Sequence, residues 1–194
     1  NSADSLAAAE HGGHAEDLSV RIWTAQNDLF FLDNGIGIRA TDFVHKMSSI
    51  AYSSKVRSEN IGYKGIGRLS GLAYCSELSF INILDFQQQK FQRYTIDCLR
   101  YAQMRKEGRL SNLDFSDLMR VIAREENAPE PAGIMSILAP HASMFAQRNT
   151  GFLVVLKGIS PVLSSVITDK NFLENLAWLL PVPFREELLE PASD

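Results

Sequence analysis

The stretch from Asn60 to Ser70 has the composition of a phosphate-binding loop. It reads Asn-Ile-Gly-Tyr-Lys-Gly-Ile-Gly-Arg-Leu-Ser, so Gly62, Gly65 and Gly67 fall within eleven residues. Glycine lets a backbone approach a ligand closely or take positive φ, which branched residues resist. A glycine loop that runs into a helix points several N–H groups the same way, and phosphate is their natural partner. Taken alone, the stretch fits an ordinary loop with a helix cap equally well.

A second candidate site follows an apolar run. Asp33, Gly35 and Gly37 come directly after Leu29–Leu32. Asn-Gly is a strong hairpin signal, so a turn is the alternative interpretation. The next segment has helical periodicity, however, and offers no partner strand. A carboxylate at a strand end beside two glycines can instead accept a hydrogen bond from a flat ligand that lies against bare backbone.

Asn1 and Asp4 form a third, weaker candidate. Residues three apart share one face of a helix, and the segment that begins here is rich in Ala and Leu. An asparagine oxygen suits magnesium, a hard cation that keeps water and phosphate oxygens as its other ligands. The alternative is a solvated helix start.

Strands and helices must position these residues, and periodicity predicts both. Alternating or continuous apolar residues predict strands at 18–22, 29–32, 78–83, 91–96 and 152–156. Helical spacing predicts helices at 2–10, 41–51, 69–75, 113–122 and 171–180. The polar residues 87–89 join the third and fourth strands as a hairpin. Strands at both ends of a helical middle predict an α+β fold, with helices on one face of a mainly antiparallel sheet.

Composition limits the possible classes of protein. A chain of 194 residues, 45% apolar and 22% charged, predicts a single globular domain with a full core. The net charge of −4 gives no electrostatic signal for nucleic acid. No apolar run is long enough to span a bilayer and no signal peptide is visible, so we expect a soluble, cytoplasmic chain. Cys75 and Cys98 predict core packing rather than a disulfide framework. Because the chain lacks an initiator methionine and begins in a helical pattern, we expect it to be N-terminally truncated.

The three candidates occur in a familiar order. Asn1-x-x-Asp4, then Asp33-x-Gly35-x-Gly37, then Gly62-x-x-Gly65-x-Gly67 resembles the nucleotide-binding boxes of the GHKL ATPase superfamily. Gyrase B, the heat-shock-90 chaperones, sensor histidine kinases and MutL belong to this superfamily. Tyr52–Lys55 resembles the lid segment of its chaperone and MORC branches, and Asn149–Gly151 resembles its Gly-Thr strand entry, with Asn where Gly is usual. The resemblance covers about residues 1–97 and 149–184. It implies a Bergerat-type ATP-binding fold, a two-layer α/β sandwich.

The resemblance also implies roles at the adenine end of ATP. Asp33 would accept the adenine amino group, which favours adenine over guanine. Gly35 and Gly37 would let the purine lie against the chain. Thr150 would contact adenine through its hydroxyl group or through a water molecule.

At the phosphate end, the implied metal ligand is Asn1, which would hold magnesium, with Asp4 supporting it or facing the ribose. The implied phosphate-binding residues are Gly62, Lys64, Gly65, Ile66 and Gly67. The Lys64 ammonium could reach the terminal phosphate, although a solvated lysine explains the residue as well.

Asp4 favours the hydrolytic branches, since histidine kinases commonly carry Lys or Arg at this position. We therefore expect a heat-shock-90-like or MORC-like module that binds Mg-ATP and hydrolyses it. Lid closure would drive rearrangement or homodimerisation of regions outside this chain. The general-base glutamate of these branches would precede Asn1, so no catalytic residue is predicted within the chain. A nucleotide-sensing module without turnover and a histidine-kinase catalytic domain are the alternatives. Residues 99–148 are predicted to be an insertion within a single domain, 1–194.

Overall fold

The computed structural model describes residues 18–49, 67–111, 113–167 and 169. Six strands in this part of the chain form one sheet: β1 (Val20–Ala25), β2 (Asp28–Asp33), β3 (Glu77–Asp85), β4 (Lys90–Asp97), β5 (Ala123–Glu126) and β6 (Gly151–Lys157). Their spatial order is β1-β2-β6-β3-β4-β5, and all the pairings among them are antiparallel. The late strand β6 is thus inserted between β2 and β3, in the middle of the sheet.

Helices cover the sheet. The α-helices are α1 (Ala40–Ser48), α2 (Cys98–Lys106), α3 (Phe115–Ile122), α4 (Pro131–Leu138) and α5 (Pro161–Ile167), and two 3₁₀ helices span Gly67–Ala73 and Ala139–Phe145. Asp97 and Asp114 begin α2 and α3 by accepting backbone N–H groups with their side chains. Each aspartate thereby satisfies a donor that the first helical turn leaves unpaired.

The larger helical layer packs on one face of the sheet. Successive strand residues point to opposite faces, and Leu78, Phe80 and Leu156 belong to the core on this side. Phe43 and Met47 of α1 pack into the same cluster. Further members of this cluster come from α2 and α3: Cys98, Met104, Met119 and Ile122.

A smaller layer covers part of the opposite face. Ile134 and Leu138 of α4 and Phe145 of the second 3₁₀ helix pack there against a set of strand residues: Phe30, Leu32, Ile81, Ile83, Leu153 and Val155. Phe145 also stacks on Phe86, with ring centroids 4.4 Å apart. At the β1 edge, the Trp23 ring stacks on Phe30 at 4.9 Å and contacts His141 at 4.2 Å.

The structure confirms the predicted α+β fold with its antiparallel sheet and main helical layer. The hairpin of β3 and β4 and the buried strands β2 and β6 are where the sequence predicts them. The second, smaller layer formed by α4 and the adjoining 3₁₀ helix is an addition that periodicity did not indicate. The predicted first helix, the lid segment and the final helix lie outside the described residues. Among the residues that are described, no helix has the length and apolar character needed to cross a membrane.

Candidate functional site

Asp33 lies where three strands meet. It is the last residue of β2, and it pairs with Val20 of β1 on one side and with Phe152 of β6 on the other. The residue is 2% exposed. Its Oδ1 atom accepts the N–H of Gly35 at 3.1 Å, so the chain turns immediately after the strand. The element that follows is helix α1, which rules out the alternative of a hairpin turn at Asn34–Gly35.

Asn34 holds this turn in place through two side-chain hydrogen bonds, a role that the sequence analysis missed. Its side chain is buried, its Oδ1 accepts the N–H of Ser19 at 2.8 Å, and its Nδ2 donates to the Met144 carbonyl at 2.9 Å. The asparagine therefore ties the end of β2 to the start of β1 and to the second 3₁₀ helix. Its only sequence signal is an Asn-Gly pair, which points to a turn and not to contacts at such long range.

Thr150 and Gly151, at the start of β6, contact the end of β2, and we call this region the junction of β2 and β6. The Thr150 hydroxyl donates to the Gly35 carbonyl at 2.9 Å. A Cβ atom on Gly151 would lie 3.1 Å from the Phe145 ring and 3.3 Å from the Cα of Asn34, and would overlap the Asp33 carbonyl oxygen. Only glycine therefore lets β6 lie this close to the end of β2.

Gly37 lies in a tight part of the same loop. Its φ is 64°, in the left-handed region, and a Cβ atom there would approach Asn82 Oδ1 to 3.1 Å and the Gly151 carbonyl oxygen to 3.2 Å. Glycine is needed at this position for its conformation as well as for its size. Gly35 thus contacts Asp33 and Thr150, and Gly37 lies against Asn82 and Gly151, while the contacts of these residues with a ligand stay predictions.

Two buried amides hold the loop on the other side. Asn82 of β3 accepts the N–H of Ile38 at 3.0 Å and donates to the Ile38 carbonyl at 2.7 Å. It also donates to Gln92 of β4 at 3.1 Å, and Gln92 in turn donates to the Ala40 carbonyl at 3.1 Å and to Asn127 at 3.2 Å. We call Asn82 and Gln92 the amide clamp. The sequence analysis placed both residues in strands and assigned them no further role.

The predicted phosphate and metal ligands cannot be placed in the same way. Asn1, Asp4, Gly62, Lys64, Gly65 and Ile66 lie outside the described residues. Gly67 begins the 3₁₀ helix Gly67–Ala73, which overlaps the helix predicted at 69–75. Within the part of the chain that the structure describes, no group of three or more His, Cys, Asp or Glu side chains could hold a metal ion.

A separate cavity of about 450 Å³ lies between α1 and α3, over β4 and β5. Its described lining includes Val44, His45, Tyr94, Met119 and Arg120. None of its described lining residues belongs to the loop at 33–40 or to the start of β6. The described lining of this cavity is therefore separate from the residues around Asp33.

The fold and the junction define a class of protein. A carboxylate at the end of a central strand, followed by a loop with two glycines, suits a flat ligand with hydrogen-bonding edges, such as a purine. The comparison with protein families agrees. A sequence model of the histidine kinase-, DNA gyrase B-, and HSP90-like ATPases matches residues 3–125, more than half of the chain.

The chain belongs to this family of ATPases. It is accordingly an ATP-binding module of the GHKL type, as the three boxes predicted. The match covers the family as a whole and does not separate its branches. Comparison with curated proteins finds no match.

Proposed function

We propose that the junction of β2 and β6 binds the adenine of ATP, with Asp33 as the residue that recognises the base. One observation carries this proposal. Asp33 and Gly35 meet Thr150, which lies 115 positions after Gly35, at one strand junction through hydrogen bonds of 3.1 and 2.9 Å. The Asp33 carboxylate accepts the exocyclic amino group of adenine. Guanine carries a carbonyl oxygen at that position, so two acceptors would face each other, and the site favours ATP over GTP.

The proposal for the rest of the nucleotide is supported by the sequence motifs and by membership of the family. The triphosphate lies against Gly62, Lys64, Gly65, Ile66 and Gly67, and Asn1, supported by Asp4, holds the magnesium ion. Magnesium would suit this position because it prefers oxygen ligands and retains several waters, and its positive charge would neutralise part of the charge of the phosphates. The module is of the heat-shock-90-like or MORC-like kind.

Hydrolysis is the proposed reaction, coupled to closure of the lid segment and to rearrangement or dimerisation of domains outside this chain. A glutamate upstream of Asn1 would orient and deprotonate the attacking water. A module that binds without turnover would need the same adenine junction but not this glutamate. Measuring phosphate release as well as binding separates the two functions.

Calorimetric titration of Mg-ATP and of Mg-GTP into the chain tests the adenine assignment. Asp33→Ala removes a charge-assisted hydrogen bond of about 1.5–3 kcal/mol, so ATP affinity should fall roughly 10- to 100-fold. Asp117→Ala is the matched control, because Asp117 lies on the surface of α3, paired with Arg120 at 3.1 Å. It should leave ATP affinity unchanged.

Equal affinities for ATP and GTP, or an Asp33→Ala variant that is folded and binds ATP normally, would refute the role of Asp33. If the chain binds no nucleotide, the titration is repeated on a version that is extended upstream through the predicted first helix. No binding by the extended protein would refute the proposed function as a whole.

A further inference from the structure

Two thiols lie next to each other in the core of the main helical layer. The Sγ atoms of Cys75 and Cys98 are 3.8 Å apart, and they are the two cysteines of the chain. Both are free thiols. Cys75 follows the 3₁₀ helix Gly67–Ala73, and Cys98 is the first residue of α2. A disulfide has an S–S distance of about 2.05 Å, so the sulfurs need to approach by less than about 2 Å to bond.

We propose that Cys75 and Cys98 form a reversible intramolecular disulfide when the folded protein meets a peroxide. The pair would be an oxidative modification site within the nucleotide-binding module. The proposal is independent of the proposed function, because it concerns thiol chemistry and needs no nucleotide.

The backbone holds the two cysteines in place. The N–H of Ser76 donates to the Lys157 carbonyl at 2.8 Å. The Ser76 carbonyl accepts the N–H groups of Cys98 at 3.0 Å and of Leu99 at 3.3 Å. The residue after Cys75 is therefore bonded both to the end of β6 and to the start of α2. Because the backbone cannot separate the two thiols without breaking these bonds, their effective concentration is high.

The two thiols have different roles. Cys75 is 9% exposed and Cys98 is 1% exposed, so a small oxidant reaches Cys75 first. The hydrogen bond with Cys98 lowers the pKa of Cys75, although burial and the Glu77 carboxylate act in the opposite direction. The same hydrogen bond and burial raise the pKa of Cys98. Since the thiolate is the nucleophile, Cys75 attacks first and Cys98 resolves.

The chemistry balances with hydrogen peroxide as the oxidant. The Cys75 thiolate attacks one peroxide oxygen, the O–O bond breaks, and a sulfenic acid and hydroxide form. The Cys98 sulfur then attacks the sulfenic sulfur, an S–S bond forms, and the sulfenic oxygen leaves as water. Overall, two thiols and one peroxide give one disulfide and two waters. A dithiol reductant restores both thiols by exchange.

Peptide mapping of the folded, peroxide-treated chain tests the proposal. Trypsin cleaves after Arg68, Lys90, Arg93 and Arg100, so it separates the two cysteines onto peptides 69–90 and 94–100. After dilute peroxide and alkylation of the remaining thiols, we expect these two peptides to be joined. A reductant added before alkylation should separate them. The oxidised chain should also unfold about 5–10 °C higher, because the bond constrains the unfolded chain.

Single variants check the order of attack. In Cys98→Ala, peroxide should still convert the more exposed Cys75 to a sulfenic acid that dimedone traps, but more slowly, because the hydrogen bond that lowers its pKa is lost. Cys75→Ala should leave Cys98 largely unmodified. The mapping of the unsubstituted chain stands even if a variant fails to fold. Two thiols that remain free in the folded, peroxide-treated chain would overturn the proposal, as would linkage between chains only or sulfinic acid at Cys75 without linkage.

Discussion

Gly151→Ala should damage the candidate site without removing any group that contacts a ligand. Gly151 is the first residue of β6, and a Cβ atom there would meet the Asp33 carbonyl oxygen, the Phe145 ring at 3.1 Å and the Cα of Asn34 at 3.3 Å. Two of these three contacts are with backbone, which cannot move away by rotating a side chain. The added methyl group must therefore push the ends of β2 and β6 apart.

The size of the effect follows from these contacts. Overpacking a tight core costs about 1–3 kcal/mol, and we expect the upper half of that range because the overlap is with backbone. Displacing Asp33 weakens its proposed hydrogen bond to adenine, which is worth about 1.5–3 kcal/mol when it is fully made. We therefore expect ATP affinity to fall by at least about tenfold, since 1.4 kcal/mol corresponds to a factor of ten.

Gly133→Ala provides a matched control for the same chemical change. Gly133 lies in α4, and a Cβ atom there would meet nothing within 4 Å. Alanine stabilises a helix interior by roughly 0.5–1 kcal/mol relative to glycine, so this variant should be slightly more stable than the unsubstituted chain. Unfolding in urea measures the free energy of unfolding of both variants, and calorimetric titration measures their affinities for ATP. If Gly151→Ala is as stable as Gly133→Ala, or binds ATP normally while Asp33→Ala does not, the close packing at Gly151 does not position Asp33.

Three further substitutions test the surroundings of the site. Asn82→Leu removes both hydrogen bonds to Ile38 and should lower the free energy of unfolding in urea by about 2–3 kcal/mol; an unchanged value would show that the clamp contributes nothing. Thr150→Val removes the donor to the Gly35 carbonyl, so thermal unfolding should show a free energy of unfolding lower by about 1 kcal/mol. An unchanged free energy of unfolding would contradict this role of Thr150. Burial lowers the pKa of His141 below its ordinary 6.5, so the unfolded chain takes up the proton first as the pH falls through that value and stability decreases. His141→Gln should flatten the dependence of stability on pH between about 5 and 7. An unchanged slope would show that other titrating groups cause this dependence.

The strands were the most predictable part of the fold. β2 and β6 are short, almost continuously apolar segments, and such segments belong to buried strands. β5 was not predicted, because Ala123–Glu126 reads Ala-Arg-Glu-Glu and has no apolar pattern. It forms beside β4, where Glu126 pairs with Arg93 at 3.4 Å. Pairing with an available sheet edge outweighed the low strand propensity of this segment.

The residues of the candidate site were predictable only where a short motif marks them. Asp33, Gly35 and Gly37 occur within five residues, so their spacing could be recognised. The contacts of Asn34 with Met144 and of Asn82 with Ile38 join residues 110 and 44 positions apart. Periodicity and turn signals describe neighbours in sequence, and they contain no information on such contacts.

Three side chains explain how the loop after β2 keeps its shape: Thr150, which is a predicted site residue, and Asn34 and Asn82, which the sequence analysis missed. Asn34 joins the start of the loop to the second 3₁₀ helix, Thr150 holds Gly35 beside the start of β6, and Asn82 holds Ile38 against β3. The last two engage backbone N–H or C=O groups of the loop and so hold its conformation. A loop that folding has already ordered pays little conformational entropy when a ligand binds. Substitutions of Asn34 and Asn82 should therefore change ligand affinity through the order of the loop, even though neither residue is proposed to contact adenine.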